Sequence, residues 1–167
     1  LPGYEQRRFE LTELRAATED NVRKIVGHLA VFDIEGDGGW FRERIAPGAF
    51  AETIERDDIR ALFNHDPNIV LGRNKAGTLR LREDDRGLWI EILPPDTQAA
   101  RDLMISIERG DVSQQSFGFV TLDDAWERDL NGGKDLRVLK KVRLFDVSPV
   151  TFPFYGDTDV ALRSHEA

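Results

Sequence analysis

The sequence predicts an α+β fold that is mainly β, with an antiparallel sheet or barrel and helices packed outside it. The length of 167 residues suits one domain with a substantial hydrophobic core. About seven segments have strand-like patterns and only two have helical ones. Strand segments often follow one another directly, which favours antiparallel pairing over a doubly wound α/β fold. We therefore expect residues 1–167 to form a single domain.

The predicted strands are distributed along the whole chain. The opening stretch, 4–20, is predicted to be a strand followed by a loop. Alternating or continuous apolar patterns predict the other strands, which are 22–33, 59–66, 77–84, 88–94, 112–121, 136–153 (as far as its prolines) and 158–163. The tight turn 84–87 predicts a hairpin. The polar segment 127–135 is predicted to be a mobile hairpin loop that is dispensable for chemistry.

Two helices are predicted. The segment "PGAFAETI", 47–54, has a proline near its start, as short helices often do. The second helix follows Pro95, is capped by Asp96 or Thr97 and ends at Gly110. Its apolar stripe has the spacing i, i+3, i+4 and i+7 and consists of Ala100, Leu103, Met104 and Ile107.

Composition excludes several classes of function. The formal net charge of −8 argues against a nucleic-acid partner, which requires a basic face. The chain lacks cysteine, so disulfides, thiolate nucleophiles and cysteine-ligated zinc are excluded. No apolar run approaches the ~18 residues of a membrane helix, and no secretory leader is visible, so we expect no membrane association.

A metal site is not expected. The acidic segment 33–44 is similar to a calcium-binding loop, but Arg44 stands where the bidentate glutamate is required. The three histidines, His28, His65 and His165, have no ligand-like spacing. A turn is the better interpretation of 33–44, and we expect no metal or cofactor.

Ser116 lies in the alternating segment "SQQSFGFV", 113–120, on the face opposite Phe117 and Phe119. A solvent-facing strand serine is the common interpretation, because the residue lacks a nucleophile-elbow motif. Gly118, on the same face, favours a reactive role, since it leaves space where a substrate backbone could approach.

His65 is the best candidate for a general base among the histidines. It lies in "ALFNHDP", at the end of an apolar strand and beside a turn, where a surface histidine is also common. His28 lies within a strand, consistent with a structural role, and His165 lies in a tail that is expected to fray.

Asp146, in "RLFDVSPV", has apolar neighbours on both faces of its strand. A carboxylate so enclosed is costly unless it has a hydrogen-bonded partner. An imidazole N–H would satisfy it, as in a Ser–His–Asp arrangement. Pairing with Arg143, Lys141 or a backbone N–H is the alternative.

Five blocks of the sequence together resemble the HK97-type prohead protease family of tailed bacteriophages and gene transfer agents. They are "ERIAPGAFAETI", "RALFNHDPNIVLGR", "GTLRLREDDRGLWIEILPPDT", "RGDVSQQSFGFV" and "LFDVSPVTFPFYGDTDVALR", and the resemblance runs from about residue 8 to residue 163. It implies a fold similar to that of the herpesvirus maturation protease, a small antiparallel β-barrel surrounded by helices.

The resemblance also implies a function. Members of this family are serine endopeptidases that cleave the scaffolding segment of the major capsid protein inside the immature capsid, in the bacterial host cytoplasm. They usually cleave themselves too, so the partners are capsid protein and possibly the protease itself.

The site residues follow from the same blocks. The "NHD" block places the catalytic histidine at His65, and the "SFGF" block places the nucleophile at Ser116. The third member would be Asp146, where the family usually carries glutamate. A capsid assembly protein that keeps the fold without catalysis is the alternative function, and an esterase using the same serine is a third.

Overall fold

A computed structural model describes residues 2–8 and 14–152 of the chain. Within these residues the fold is mainly β, as predicted, with eleven strands in two sheets and two α-helices. The first six strands are β1 Tyr4–Arg7, β2 Arg15–Glu19, β3 Val22–Val31, β4 Gly36–Asp37, β5 Arg42–Ile45 and β6 Arg60–Phe63. The remaining strands are β7 Asp66–Arg73, β8 Leu79–Glu83, β9 Gly87–Ile92, β10 Gln114–Glu127 and β11 Leu136–Val150. The helices are α1 Thr53–Arg56 and α2 Gln98–Arg109.

The prediction of a closed barrel is wrong. The larger sheet has the order β1–β10–β11–β5–β4, with β6 also paired to β11 and β7 paired to β6. The smaller sheet has the order β2–β3–β9–β8. Neither sheet closes on itself, because strands at both ends of each sheet have a neighbour on one side only among the described residues. The antiparallel prediction also misses two parallel pairs, of β11 with β5 and with β6.

The long strand β11 organises the larger sheet. Strand β10 pairs with it antiparallel along one edge. Along the other edge β5 pairs with Leu136–Leu139 and β6 pairs with Asp146–Val147. Between them, Val142 donates its backbone N–H to the Ala49 carbonyl and Leu144 donates to Thr53 Oγ1. The chain between β5 and β6 therefore satisfies the backbone groups that would otherwise be unpaired at this edge.

The helix prediction succeeds for α2. Thr97 is its N-cap and accepts a hydrogen bond from the Ala100 N–H at 3.2 Å. Gly110 ends the helix in the left-handed conformation. The predicted apolar stripe is buried, and it belongs to the same core cluster as Phe117 and Phe119 of β10.

The predicted helix 47–54 is mostly a turn, and only its end belongs to α1, Thr53–Arg56. Gly48 has a φ of +90°, which excludes a right-handed helix there. The following Ala49 and Phe50 are buried in the core. Apolar content at this point therefore reflects core packing rather than helical periodicity.

Most of the other strand predictions are confirmed. The turn at 84–87 joins β8 and β9, and the segment 127–135 joins β10 and β11 as a hairpin. The mobility of that loop stays a prediction. Strand β11 continues through Pro149, and β7 was not among the predicted strands. The predicted loop after the opening strand is wrong for Arg15–Glu19, which forms β2, and the segment 33–44, interpreted as a turn, also contains the short strand β4 and most of β5. The predicted strand 158–163 lies outside the described residues. Among the residues that the structure describes, no helix is long and apolar enough to cross a membrane.

A buried ion network joins three strands of the larger sheet. Arg137 bonds to Glu5 at 3.0 Å and to Glu43 at 3.3 Å, and Arg7 bonds to the same two carboxylates. Burial would raise the pKa of Glu5, but the two guanidinium groups lower it below its usual value. Burial raises the pKa of Glu43 despite the same two neighbours. The network therefore links β1, β5 and β11 through charges that compensate one another.

Replacing Arg137 by methionine should leave the Glu5 and Glu43 carboxylates close together and undercompensated. We expect the free energy of unfolding in urea to fall by about 3–5 kcal/mol. The matched control is Arg101→Met, which breaks an exposed pair with Asp96 and should change stability by less than about 0.5 kcal/mol. Equal stability of the two variants would show that the buried network contributes nothing.

Candidate functional site

The candidate site forms around the turn that joins β6 to β7. This two-residue connection consists of Asn64 and His65, whose φ angles are +53° and +57°. Positive φ at both central residues is the requirement of a type I′ hairpin turn. Asparagine and histidine enter this region more often than most residues, but for any residue with a Cβ it costs roughly 1–2 kcal/mol. Such strain at a histidine persists where surrounding contacts impose it.

Those contacts come from the end of β11. The Asn64 backbone N–H donates to the Pro149 carbonyl at 3.0 Å, and the Thr151 N–H donates to Asn64 Oδ1 at 2.9 Å. The His65 N–H donates to Ser148 Oγ at 3.2 Å. The turn is thus attached to the strand that carries Asp146.

The His65 ring contacts Asp146 directly. Its Nδ1 lies 2.5 Å from Asp146 Oδ2, and both side chains are largely buried, with 13% and 7% of their surface exposed. A carboxylate accepts hydrogen bonds, so the proton of the neutral imidazole is assigned to Nδ1. This tautomer leaves Nε2 as a hydrogen-bond acceptor.

Asp146 has two further donors. Tyr4 Oη donates to Oδ1 at 2.8 Å, and Ser148 Oγ donates to Oδ2 at 3.0 Å. Ser148 is fully buried and links the Asp146 carboxylate to the His65 backbone N–H. Both oxygens of the enclosed carboxylate therefore accept hydrogen bonds from side chains of the site.

The alternative partners of Asp146 are engaged elsewhere. Lys141 lies 2.6 Å from Glu52, and Arg143 lies 3.9 Å from Asp57. The Arg143 guanidinium also lies over the Phe145 ring, 4.9 Å from its centroid. Of the possibilities that the sequence left open, the imidazole is the one that the structure brings to this carboxylate.

Ser116 lies on the same face of the sheet as Asp146. In the β10–β11 pair Ser116 is opposite Ser148, and Gly118 is opposite Asp146. Residues opposite one another project to the same face, with Cβ atoms ~4.5–5.5 Å apart. Ser116 is 6% exposed, and its hydroxyl makes no hydrogen bond to another residue in 2–8 or 14–152. The structure thus joins His65 to Asp146 and places Ser116 beside them without a direct bond.

Gly118 has a different role from the one expected. A Cβ at this position would overlap both Tyr4 Oη and Asp146 Oδ1. The space above Gly118 is therefore occupied by these two groups, not open to a substrate backbone. Glycine is needed here because it allows the phenol and the carboxylate to approach β10 closely.

Tyr4 and Ser148 belong to the site but are not among the site residues predicted from the sequence. Ser148 follows Asp146 by two residues, so strand periodicity could have placed both on one face. Tyr4 is 142 positions from Asp146, and no local pattern indicates the contact. Burial, followed by the negative charge of Asp146, raises the pKa of Tyr4 well above its usual value.

The other histidines lie elsewhere. His28 Nε2 is 2.8 Å from Asp84 Oδ2, and its ring packs edge-on against Trp89. Asp84 also accepts the backbone N–H groups of Arg86 and Gly87, so this cluster holds the β8–β9 hairpin. His165 lies outside the described residues.

The Asn64 turn yields a test of how His65 is held. Asn64→Ala and Asn64→Gly both remove the side-chain amide and its contact with Thr151, but alanine keeps a Cβ at positive φ without the amide that makes this conformation tolerable, whereas glycine has no Cβ to strain. We expect the alanine variant to be less stable than the glycine variant by about 1–2 kcal/mol in urea denaturation. Equal stabilities would contradict a strained turn at this position.

Comparison with known families gives one match. The profile of the caudovirus prohead serine protease family matches residues 10–167, which is nearly the whole chain. No curated protein and no solved structure matches the chain. The family match agrees with the resemblance found in the sequence and includes the positions of His65, Ser116 and Asp146. The chain belongs to the caudovirus prohead serine protease family.

Proposed function

We propose that this protein is a serine endopeptidase that cleaves the scaffolding segment of the major capsid protein during maturation of the prohead. The family supports a capsid maturation protease. The observation that carries the finer proposal is the His65–Asp146 hydrogen bond on the face of the sheet that holds Ser116. This is the combination of residue types that nucleophilic acyl transfer requires.

In the proposed reaction Ser116 Oγ attacks the carbonyl carbon of the scissile amide. His65 Nε2 takes the hydroxyl proton and then gives it to the leaving amine as the C–N bond breaks. Water, deprotonated by the same nitrogen, attacks the acyl-enzyme; as the acyl–Oγ bond breaks, His65 returns the proton to Ser116 Oγ and the acid product leaves. Backbone N–H groups stabilise the oxyanion, each contributing about 3–4 kcal/mol to the transition state.

Asp146 keeps the His65 ring in the productive tautomer and stabilises the imidazolium that forms after proton transfer. The family usually carries glutamate at this position, which has one more methylene. Here the aspartate reaches the ring at 2.5 Å because the Asn64–His65 turn is bonded to the end of β11. The shorter side chain is therefore compatible with this role.

We further propose that the whole chain acts as one domain inside the immature capsid, in the host cytoplasm. The substrate binds as an extended segment that adds to a sheet edge near Ser116. The partners are the capsid protein, with its scaffolding segment, and other copies of the protease, which it cleaves in turn. These proposals extend the family assignment, which supports contact with capsid protein.

Co-expression with the cognate capsid protein, followed by intact-mass analysis, tests the proposal. Wild type should trim the capsid protein, and Ser116→Ala should leave it at full length because the attacking oxygen is absent. Ser113→Ala is the matched control, since Ser113 is an exposed serine three residues away and should be dispensable.

Two outcomes would count against the proposal. Trimming by Ser116→Ala would show that another residue is the nucleophile. Assembly of shells without trimming by wild type would favour the non-catalytic assembly protein that keeps this fold.

A further inference from the structure

Strand β1 brings Tyr4 into the site from outside the region that matches the family, which begins at residue 10. The strand pairs antiparallel with β10, with Tyr4 opposite Val120 and Gln6 opposite Gly118. The Tyr4 hydroxyl reaches over Gly118 to Asp146. The segment before the family match thus supplies a side chain to the candidate catalytic centre.

The Tyr4 contact differs from the other two contacts of the carboxylate. His65 and Ser148 both bond to Oδ2, whereas Tyr4 bonds to Oδ1. Among residues 2–8 and 14–152, Tyr4 is the only hydrogen-bond donor to Oδ1. A carboxylate held at one oxygen can turn about its Cβ–Cγ bond, but a carboxylate held at both oxygens cannot do so without breaking a bond.

The surroundings of Tyr4 favour a permanent donor. Its ring packs edge-on against Phe145, with centroids 5.9 Å apart, and this contact does not depend on the hydroxyl. The raised pKa keeps the phenol protonated throughout the neutral range. The absence of a side chain at Gly118 leaves the room that the O–H···O contact requires.

We propose that Tyr4 is a positioning residue of the protease, which fixes the rotation of the Asp146 carboxylate and, through it, the orientation of the His65 ring. This inference rests on the proposed function, because it assigns Tyr4 a role in the same reaction. Tyr4 acts through Asp146 and does not contact the substrate.

The test is Tyr4→Phe, which removes one oxygen and retains the ring packing on Phe145. With a peptide that spans the capsid cleavage site, kcat should fall about tenfold, the scale of one hydrogen bond to a charged group, while KM is unchanged. Thr18→Val is the control, since it also removes one hydroxyl, from an exposed position of β2 in the smaller sheet, and should leave both constants at their wild-type values.

A second measurement does not depend on turnover. In Ser116→Ala protein, the proton on His65 Nδ1 should give a far-downfield NMR signal because of its short bond to Asp146, and His65→Gln should abolish it. Adding Tyr4→Phe should shift or broaden that signal, since the carboxylate is no longer held at both oxygens. A role in packing alone would leave the signal unchanged.

The outcomes separate the inference from the function on which it rests. Unchanged kcat together with an unchanged Nδ1 signal would overturn the role of Tyr4, while the protease proposal would stand. A rise in KM at constant kcat would also overturn it, because Tyr4 would then contact the substrate. Absence of cleavage by the wild type would overturn the proposed function, whereas the NMR signal would still decide whether Tyr4 orders the Asp146–His65 pair.

Discussion

The site depends on the hydrogen bonds that the buried carboxylate of Asp146 accepts. Its two oxygens receive hydrogen bonds from Tyr4 of β1, from His65 of the β6–β7 turn and from Ser148 of its own strand. Each of these donors compensates part of the cost of burying a charged group. Because the donors come from three separate segments, the same contacts that satisfy the carboxylate also bring those segments together.

Strand pairing in the larger sheet positions the other residues of the site around Asp146. Strand β11 carries Asp146 and Ser148, and pairing with β10 places Ser116 and Gly118 directly opposite them. On the other edge of β11, Arg60 of β6 pairs with Asp146 itself. Strand β6 then leads directly into the turn that carries His65. The nucleophile, base and acid of the proposed reaction are therefore all fixed by pairing to one strand. A site supported by strands is held more rigidly than one built on loops alone.

Local signals account for the features that could be predicted from the sequence. Thr97, the apolar stripe of α2 and Gly110 act within one helix, so capping and periodicity suffice to predict it. The alternation around Ser116 likewise assigned the correct face to Gly118. The pairing of His65 with Asp146 was expected mainly through the family resemblance, because no local pattern relates positions 81 residues apart.

The features that could not be predicted depend on contacts between distant residues or on the acceptance of proline in an edge strand. Strand β7 contains Pro67 and pairs only with β6 among the described residues, and edge strands accept proline where central strands do not. The parallel pairing of β11 with β5 and β6 was not expected either. It depends on how the chain runs between those strands, which no local pattern indicates. The contact of Tyr4 with Asp146 requires both the β1–β10 register and the absence of a side chain at Gly118.

The most direct test of the account is covalent labelling with an alkyl fluorophosphonate, located by peptide mass mapping. Such a reagent forms a phosphorus–oxygen bond with an activated serine and releases fluoride. We expect one adduct, on Ser116, and a labelling rate that falls by roughly 10³–10⁴-fold in Asp146→Asn. Asp85→Asn, at an exposed aspartate, should label like wild type. An adduct on a different residue, or an unchanged rate in Asp146→Asn, would contradict the central role of the Asp146–His65 pair.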